Sequence, residues 1–179
     1  YITIMVDNSL RLTPYGNVHI YSDDTQTNWH GIIGRICLES IALTYISDIQ
    51  VFPDTERNKV NIRLKLSGDM EKEEIKIRLL VEKGMNGKSE WLKSETSDVD
   101  CKEEITLTYD LGDECELWDE FRQPLYHLTA VLDNGETTDA MSATFGMRRF
   151  SVDGTQFTIK GRKTFLRGKH EAAVFPLTG

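Results

Sequence analysis

The seven residues VNIRLKL, Val60–Leu66, decide the fold of this chain. Apolar and polar side chains alternate along this stretch, and successive side chains of a β-strand point to opposite faces of a sheet. One face of such a strand is buried and the other is polar, which is typical of an antiparallel sheet covered on one side. A helix would instead repeat its apolar residues at intervals of three and four.

The same period of two recurs at Ile75–Val81, Ile105–Tyr109 and Tyr126–Leu132, with turn-forming residues between the runs. The pair Asn134-Gly135 predicts a type I′ hairpin turn, because both residue types tolerate a positive φ. The body of the chain, residues 45–145, thus holds roughly seven strands in about 100 residues, the size of an immunoglobulin-like β-sandwich. The expected fold class is all-β, with further strands flanking the sandwich.

Composition excludes several classes of protein. The 179 residues are 39% hydrophobic and 28% charged, which is typical of a globular chain with a core. The net charge of −8 argues against nucleic acid or an anionic membrane as a partner. Cys37, Cys101 and Cys115 lie far apart, a spacing that predicts neither a disulfide framework nor a metal site. We expect no metal, no cofactor and no membrane-spanning helix.

Three stretches carry a resemblance to a known family. They are NWHGIIGRICLE at Asn28–Glu39, LWDEFRQPLYHL at Leu117–Leu128, and the segment Phe145–His170, which contains FGMRRF and FLRGKH. In this order they resemble the non-catalytic front half of family 2 glycoside hydrolases, the β-galactosidase, β-glucuronidase and β-mannosidase relatives. The resemblance covers nearly the whole chain.

The resemblance implies a domain organisation. Residues 1–40 correspond to the last strands of a jelly-roll sugar-binding domain, 41–146 to the immunoglobulin-like sandwich, and 147–179 to a hairpin leading into a TIM barrel. Thr164–Leu166 are expected as the first barrel strand. Because a barrel needs about 250 residues, it does not fit within this chain. We therefore expect a fragment of a larger enzyme.

The implied parent protein is a retaining exo-β-glycosidase of carbohydrate metabolism, in which the sandwich links the sugar-binding and catalytic domains. Retaining hydrolysis uses two carboxyl groups about 5 Å apart, and the family carries both on later barrel strands. No catalytic residue is therefore assigned here, and the chain alone is expected to be inactive. The implied partners are a carbohydrate substrate and the enzyme's own jelly-roll and barrel domains. Bacterial relatives that digest polysaccharides are often periplasmic or exported. A periplasmic or secreted location is therefore expected in preference to a cytoplasmic one.

Five residues are candidate substrate contacts in the intact enzyme. His170 and Glu171 follow the expected first barrel strand, where an imidazole and a carboxylate would bind sugar hydroxyls. Asp24, Asn28 and Trp29 combine an aromatic face with polar groups, as sugar sites do. The structural alternatives are exposed tail residues for the first pair, and a capped polar turn with a core tryptophan for the second set.

Other aromatic residues are expected to be structural. Core or turn positions are expected for Trp118, Pro124 and Tyr126. Tyr126 is also expected to form a tyrosine corner of the kind found in sandwich domains. Trp91 is expected at an edge, with a sugar platform as the alternative. Two further hypotheses remain open: a stand-alone carbohydrate-binding sandwich that uses Trp29 or Trp91, and a spacer or adhesion module with a protein partner.

Overall fold

The computed structural model describes residues 1–7, 32 and 34–169. The chain divides into two compact units, one comprising Ser40–Leu166 and the other comprising Tyr1–Glu39 with Arg167–Gly179. The described residues of the second unit are exposed and have no strand or helix. Within the described part of the chain, no helix is long and apolar enough to cross a membrane.

The unit Ser40–Leu166 is built from strands, with one short 3₁₀ turn at Gly112–Glu114. Its strands are β1 Thr44–Asp54, β2 Lys59–Gly68, β3 Glu74–Met85, β4 Lys88–Trp91, β5 Glu95–Asp100, β6 Glu104–Asp110, β7 Leu125–Asp133, β8 Thr138–Phe145, β9 Phe150–Asp153, β10 Gln156–Ile159 and β11 Arg162–Lys163.

The strands form three antiparallel sheets. The first has the order β1-β2-β6, and the second has the order β4-β3-β7-β8, with β5 also pairing with β3. One apolar core contains the inner residues of both sheets, so the two make a sandwich. The third sheet, β11-β10-β9, is a small hairpin sheet that follows the sandwich. The all-β sandwich predicted from the alternating pattern is confirmed, and its strand order matches an immunoglobulin-like arrangement.

The core follows the alternation of the sequence. Val60, Ile62, Leu64 and Leu66 on β2 are at most 1% exposed, while the residues between them are exposed. The inner residues of β3 and β7 obey the same rule, as the central Ile77 and Leu128 illustrate. Burying one such side chain stabilises the fold by about 1.5–3 kcal/mol before conformational entropy is counted.

The turn prediction at Asn134-Gly135 is wrong in its type. β7 and β8 are joined by a four-residue loop, and Gly135 has a positive φ while Asn134 does not. The Asn134 side chain instead accepts hydrogen bonds from the backbone N–H groups of Glu136 and Thr137. The two-residue turn with two positive φ angles occurs at Asn86-Gly87, between β3 and β4. An asparagine can thus either take a positive φ or cap the following amides.

The sandwich is closed between β1 and β8 by a side chain. Asp139 on β8 accepts a hydrogen bond from the backbone N–H of Ile46 at 2.8 Å. Directly after Ile46 the register of β1 against β2 shifts at a β-bulge. The Asp139 carboxylate therefore satisfies the backbone N–H of Ile46, which is a buried residue.

The residues after the hairpin sheet carry an untested prediction. Thr164–Leu166 are described without strand pairing, although the Thr164 N–H donates to the carbonyl of Phe157. Their assignment to a first barrel strand, like the three domain boundaries given above, stays a prediction.

Candidate functional site

The predicted substrate contacts fall outside the described residues. This applies to Asp24, Asn28, Trp29, His170 and Glu171, so their roles stay predictions. The residues expected to be structural are described: Trp118 and Pro124 lie in one loop region, and Tyr126 lies on the strand that follows it. This region is the loop that connects β6 to β7, residues 111–124, together with the hairpin sheet that packs against it; we call it the junction.

The end of the junction loop is held by Tyr126 on β7. The Tyr126 hydroxyl accepts a hydrogen bond from the backbone N–H of Glu116 at 2.7 Å and lies 3.3 Å from the Glu116 carbonyl oxygen. Its ring is fully buried and stacks on Phe145 at 5.3 Å between centroids. Burial raises the pKa of Tyr126 to about 12, against the lowering effect of the Glu116 backbone hydrogen bond. The predicted tyrosine corner is present in this geometry.

Trp118 fastens the loop to the strand that leaves the sandwich. Its backbone N–H donates to the carbonyl of Met147 at 2.9 Å. Its side chain lies against Gly146, where an added Cβ would be 3.0–3.1 Å from three Trp118 atoms. The guanidinium of Arg148 lies over the indole at 4.7 Å from the ring centroid. A side chain at residue 146 would therefore require the indole to shift by a few tenths of an ångström.

Charged residues join the same loop to the hairpin sheet. Asp119 accepts hydrogen bonds from the backbone N–H groups of Phe121 and Arg122, both at 2.9 Å, and lies 3.8 Å from the ammonium of Lys160. These backbone hydrogen bonds, with the nearby positive charges, lower the pKa of Asp119. Arg162 forms an ion pair with Glu120 at 2.7 Å, and its guanidinium lies 5.1 Å from the ring centroid of Phe121.

Glu116 is the centre of a second set of ion pairs on the loop. Its carboxylate lies 3.5 Å from the Lys83 ammonium and 2.5 Å from the Arg122 guanidinium. Lys83 is also 3.6 Å from Glu90 on β4. Oε2 of Glu116 is buried and makes no hydrogen bond among the described residues. Its contact with Arg122 is therefore an ion pair without hydrogen-bond geometry. The loop is therefore tied to β3 by the ion pair with Lys83 and to β7 by Tyr126.

The junction is built to fix an orientation. The carboxylates of Glu116, Asp119 and Glu120 are engaged by backbone amides or by cations. Within residues 1–7, 32 and 34–169, no three His, Cys, Asp or Glu residues come together as a metal site. Backbone hydrogen bonds, an indole packed against a glycine, and charge pairs hold the junction loop against the sandwich and the hairpin sheet.

Sequence reasoning identified the aromatic part of the junction and missed the charged part. Trp118 and Tyr126 stood out because they belong to a recognisable motif. Glu116, Lys160 and Arg162 gave no such signal, because their pairing depends on distant segments meeting in the fold. Trp91 ends β4 at the sheet edge and is 66% exposed, as expected for an edge residue.

Comparisons with known proteins identify relatives of this fold. A family model described as "Glycosyl hydrolases family 2" matches residues 44–148. No curated protein sequence matches the chain. The β-glucuronidase of Parabacteroides merdae aligns with a TM-score of 0.54 at 15% identity over 72% of this chain and 16% of that enzyme.

Two further solved structures are similar. The Bifidobacterium dentium β-glucuronidase complexed with coumarin-3-O-glucuronide aligns with a TM-score of 0.51 at 23% identity, over 68% of this chain and 20% of that enzyme. Bacteroides uniformis β-glucuronidase 3 aligns with a TM-score of 0.52 at 22% identity, over 72% of this chain and 16% of that enzyme. The chain thus spans a fifth or less of the length of these enzymes, and identities this low show the fold alone.

Proposed function

The chain belongs to glycosyl hydrolase family 2, and from that premise we propose that it is a non-catalytic part of a retaining exo-β-glycosidase. In this proposal the sandwich links a sugar-binding jelly roll to a catalytic barrel. It orients the two so that loops from both shape one pocket. The parent enzyme hydrolyses O-glycosidic bonds, and this chain contributes geometry rather than catalytic carboxylates.

The observation that carries the proposal is the junction. A sandwich that served only as a spacer would need no rigid connection to the segment after it. Here Trp118 packs against Gly146, directly after β8, and Arg162 on the hairpin sheet forms an ion pair with Glu120. Together these contacts place the hairpin sheet against the loop that packs on the sandwich. Such rigidity supports a role in positioning a following domain.

An apolar face on the hairpin sheet adds support. Phe150 and Val152 on β9 and Phe157 on β10 share one face, and they are 48%, 63% and 44% exposed. Phe150 and Phe157 stack at 5.3 Å between ring centroids. The opposite face carries Thr158, which is only 2% exposed. An exposed apolar face next to a rigid junction suits contact with the catalytic domain.

The substrate class rests on the relatives. The three similar structures are named β-glucuronidases, and one is complexed with coumarin-3-O-glucuronide. An aryl β-glucuronide is therefore the first substrate to test, followed by aryl β-galactosides and β-mannosides. The names of these relatives set the order in which the glycosides are tested.

The first experiment determines the native gene product and its activity. An immunoblot of source cells with an antibody to this chain is expected to show a band several times larger than 20.5 kDa. The purified product is expected to hydrolyse at least one aryl β-glycoside with retention of anomeric configuration, followed by NMR of the first-formed sugar. A band near the mass of this chain, or inversion, would overturn the proposal.

A second experiment tests the geometric role in the active full-length enzyme. Trp118→Ala should lower the melting temperature and raise KM, with a smaller change in kcat, because the substitution loosens the pocket without touching the reacting groups. Phe52→Ala is the matched control, since Phe52 is a half-exposed aromatic residue on β1, in the other sheet of the sandwich, with Arg63 over its ring. Equal kinetics for wild type and Trp118→Ala would argue against a linking role.

A further inference from the structure

The outer face of the five-stranded sheet carries a row of four register partners. Trp91 on β4 pairs with Glu82 on β3, Glu82 pairs with His127 on β7, and His127 pairs with Thr144 on β8. Paired residues of antiparallel strands lie on the same face, and strands are about 4.8 Å apart. The row, which we call the cross-strand row, therefore extends roughly 14 Å over three strand spacings. It faces away from the core.

A depression lies beside the cross-strand row. It is open on one side, has a volume of about 460 Å³, and is lined by residues that include Glu82, Gly84, Leu125, His127 and Gln123. This volume is within the range of about 300–1,000 Å³ typical of small-molecule sites. Gly84 lines the depression without a side chain. The nearest atoms to an added Cβ would be two backbone carbonyl oxygens at 3.8 and 3.9 Å, so there is open space beside Gly84.

The walls of the depression are held in place. The Asn86-Gly87 turn, with both φ angles positive, closes one end and also lines it. Thr144 Oγ1 and His127 Nδ1 are 2.9 Å apart and hydrogen-bonded, which orients the imidazole and leaves Nε2 directed away from Thr144. The residue after Trp91, Leu92, donates its backbone N–H to Val81 at 2.8 Å, which fixes the edge strand. The surface is therefore preorganised.

The chemistry of this surface matches a sugar. An exposed indole offers a flat apolar face to the C–H face of a pyranose ring. The Glu82 carboxylate accepts hydrogen bonds, Gln123 offers an amide with both donors and acceptors, and His127 can do either, as sugar hydroxyls require. Trp91 is 66% exposed and no described residue covers it.

The charge of the surface selects a neutral ligand. The Glu82 carboxylate lies in the cross-strand row itself, so a uronate or another anion would face a like charge there. Lys88 also lines the depression, so its acidic and basic lining side chains give neither a cation nor an anion a net advantage there. The remaining ligand class with many hydroxyls and no charge is a neutral saccharide.

We propose that the outer face formed by Trp91, Glu82, His127 and the adjoining depression is an accessory binding site for a neutral saccharide. It is separate from the linking role proposed above, because orienting two domains requires no ligand on this face. In an enzyme that degrades polysaccharides, such a site would hold the substrate chain near the catalytic domain and raise its local concentration.

The test is a titration of the full 179-residue chain, followed by tryptophan fluorescence and NMR. The probes are cellobiose, lactose and mannobiose, with glucuronic acid as the charged comparison. At least one neutral disaccharide is expected to bind with a Kd on the order of 1 mM, and glucuronic acid at least tenfold more weakly. Absence of binding by all three disaccharides at 20-fold that concentration, or tighter binding of glucuronic acid, would overturn the proposal.

Variants locate the site. Trp91→Ala should weaken binding at least tenfold, and Glu82→Gln should weaken it less, while Phe52→Ala on the other sheet should leave it unchanged. Circular dichroism and the melting temperature check that each variant is folded; Trp91→Phe, which keeps a smaller aromatic face, replaces Trp91→Ala if that variant unfolds. Unchanged affinity in the tryptophan variant would refute the assignment. Neither result bears on the linking role, which is measured by hydrolysis in the full-length enzyme.

Discussion

The hydroxyl of Tyr126 lies 2.7 Å from the backbone nitrogen of Glu116, ten residues earlier in the chain. The bond joins a fully buried side chain on β7 to the loop that leads into the same strand. Tyr109 makes a comparable contact, donating to the carbonyl of Lys93 at 2.5 Å. The two hydrogen bonds differ in the backbone group that loses its partner when the hydroxyl is removed. It is an N–H group for Tyr126 and a carbonyl oxygen for Tyr109.

Tyr126→Phe is expected to destabilise the chain more than Tyr109→Phe does. Loss of the Tyr126 hydroxyl leaves the Glu116 N–H without its acceptor, at a cost of about 1–3 kcal/mol. Loss of the Tyr109 hydroxyl leaves a carbonyl oxygen, which tolerates an unfilled lone pair more easily. Urea unfolding of the two variants and wild type measures the difference. A Tyr109→Phe variant that is the less stable of the two would contradict this ranking.

Stability is expected to fall between pH 10 and pH 12. Burial raises the pKa of both Tyr109 and Tyr126 to about 12 from 10.0. Below pH 10 both tyrosines are neutral in either state and their stabilisation is fully present. Between pH 10 and pH 12 the tyrosines ionise in the unfolded chain while they stay neutral in the folded chain. The free energy of unfolding therefore falls by about 2–3 kcal/mol for each tyrosine.

Tyr126→Phe provides the control for this pH dependence, because the variant lacks one of the two titrating groups. The stability gap between wild type and Tyr126→Phe should therefore narrow as the pH rises from 9 to 12. Denaturant unfolding at fixed ionic strength measures the gap. A gap that stays constant over this range would show that Tyr126 ionises with an ordinary pKa in the folded chain.

Alternation predicted the strands because it is a local property with a single physical cause. Val60–Leu66 and Tyr126–Leu132 each bury every second residue, and no distant partner is needed to see that pattern. The turn at Asn134 was predicted with the wrong type, because an asparagine side chain can cap amides instead of taking a positive φ. That choice depends on loop length, which the sequence pattern leaves open.

The candidate site was predicted only in part. Trp118 and Tyr126 were identified because they belong to a motif, whereas Lys160 and Arg162 pair with Asp119 and Glu120 only after the hairpin sheet folds back on the loop. The cross-strand row was likewise not visible. Trp91 and His127 are far apart in sequence, and the register of three strand pairs brings them to one face.

Asp139→Ala is expected to destabilise the sandwich by about 1–3 kcal/mol. The substitution removes the acceptor of the Ile46 N–H, which belongs to a residue only 2% exposed. Asp139→Asn keeps a carbonyl oxygen as acceptor and should recover most of the loss. Asp133→Ala is the matched control, since the Asp133 side chain caps Gly135 in an exposed loop. Equal losses in the Asp139→Ala and Asp133→Ala variants would mean that the Asp139 hydrogen bond stabilises the sandwich no more than an exposed loop cap does.

Gly146→Ala is expected to loosen the junction, whereas Gly84→Ala is not. At Gly146 a new Cβ would lie 3.0–3.1 Å from the Trp118 side chain, whose indole is confined between this backbone and Arg148. Such overpacking costs about 1–3 kcal/mol. At Gly84 the nearest atoms are 3.8 Å away, and the substitution should be neutral or stabilising by about 0.4–1 kcal/mol, because alanine restricts the unfolded chain.

Two measurements distinguish a loosened junction from general destabilisation in these glycine variants. Urea unfolding gives the change in stability, and amide hydrogen exchange reports on the hairpin sheet separately from the sandwich. In Gly146→Ala, exchange should accelerate at Lys160 and Thr164, whose amides bond to Arg149 and Phe157, while the amides of β2 exchange as in wild type once the change in global stability is subtracted. Uniform acceleration over both sheets would mean that the Trp118–Gly146 contact supports the sandwich as a whole. The hairpin sheet would then not be the element that this contact positions.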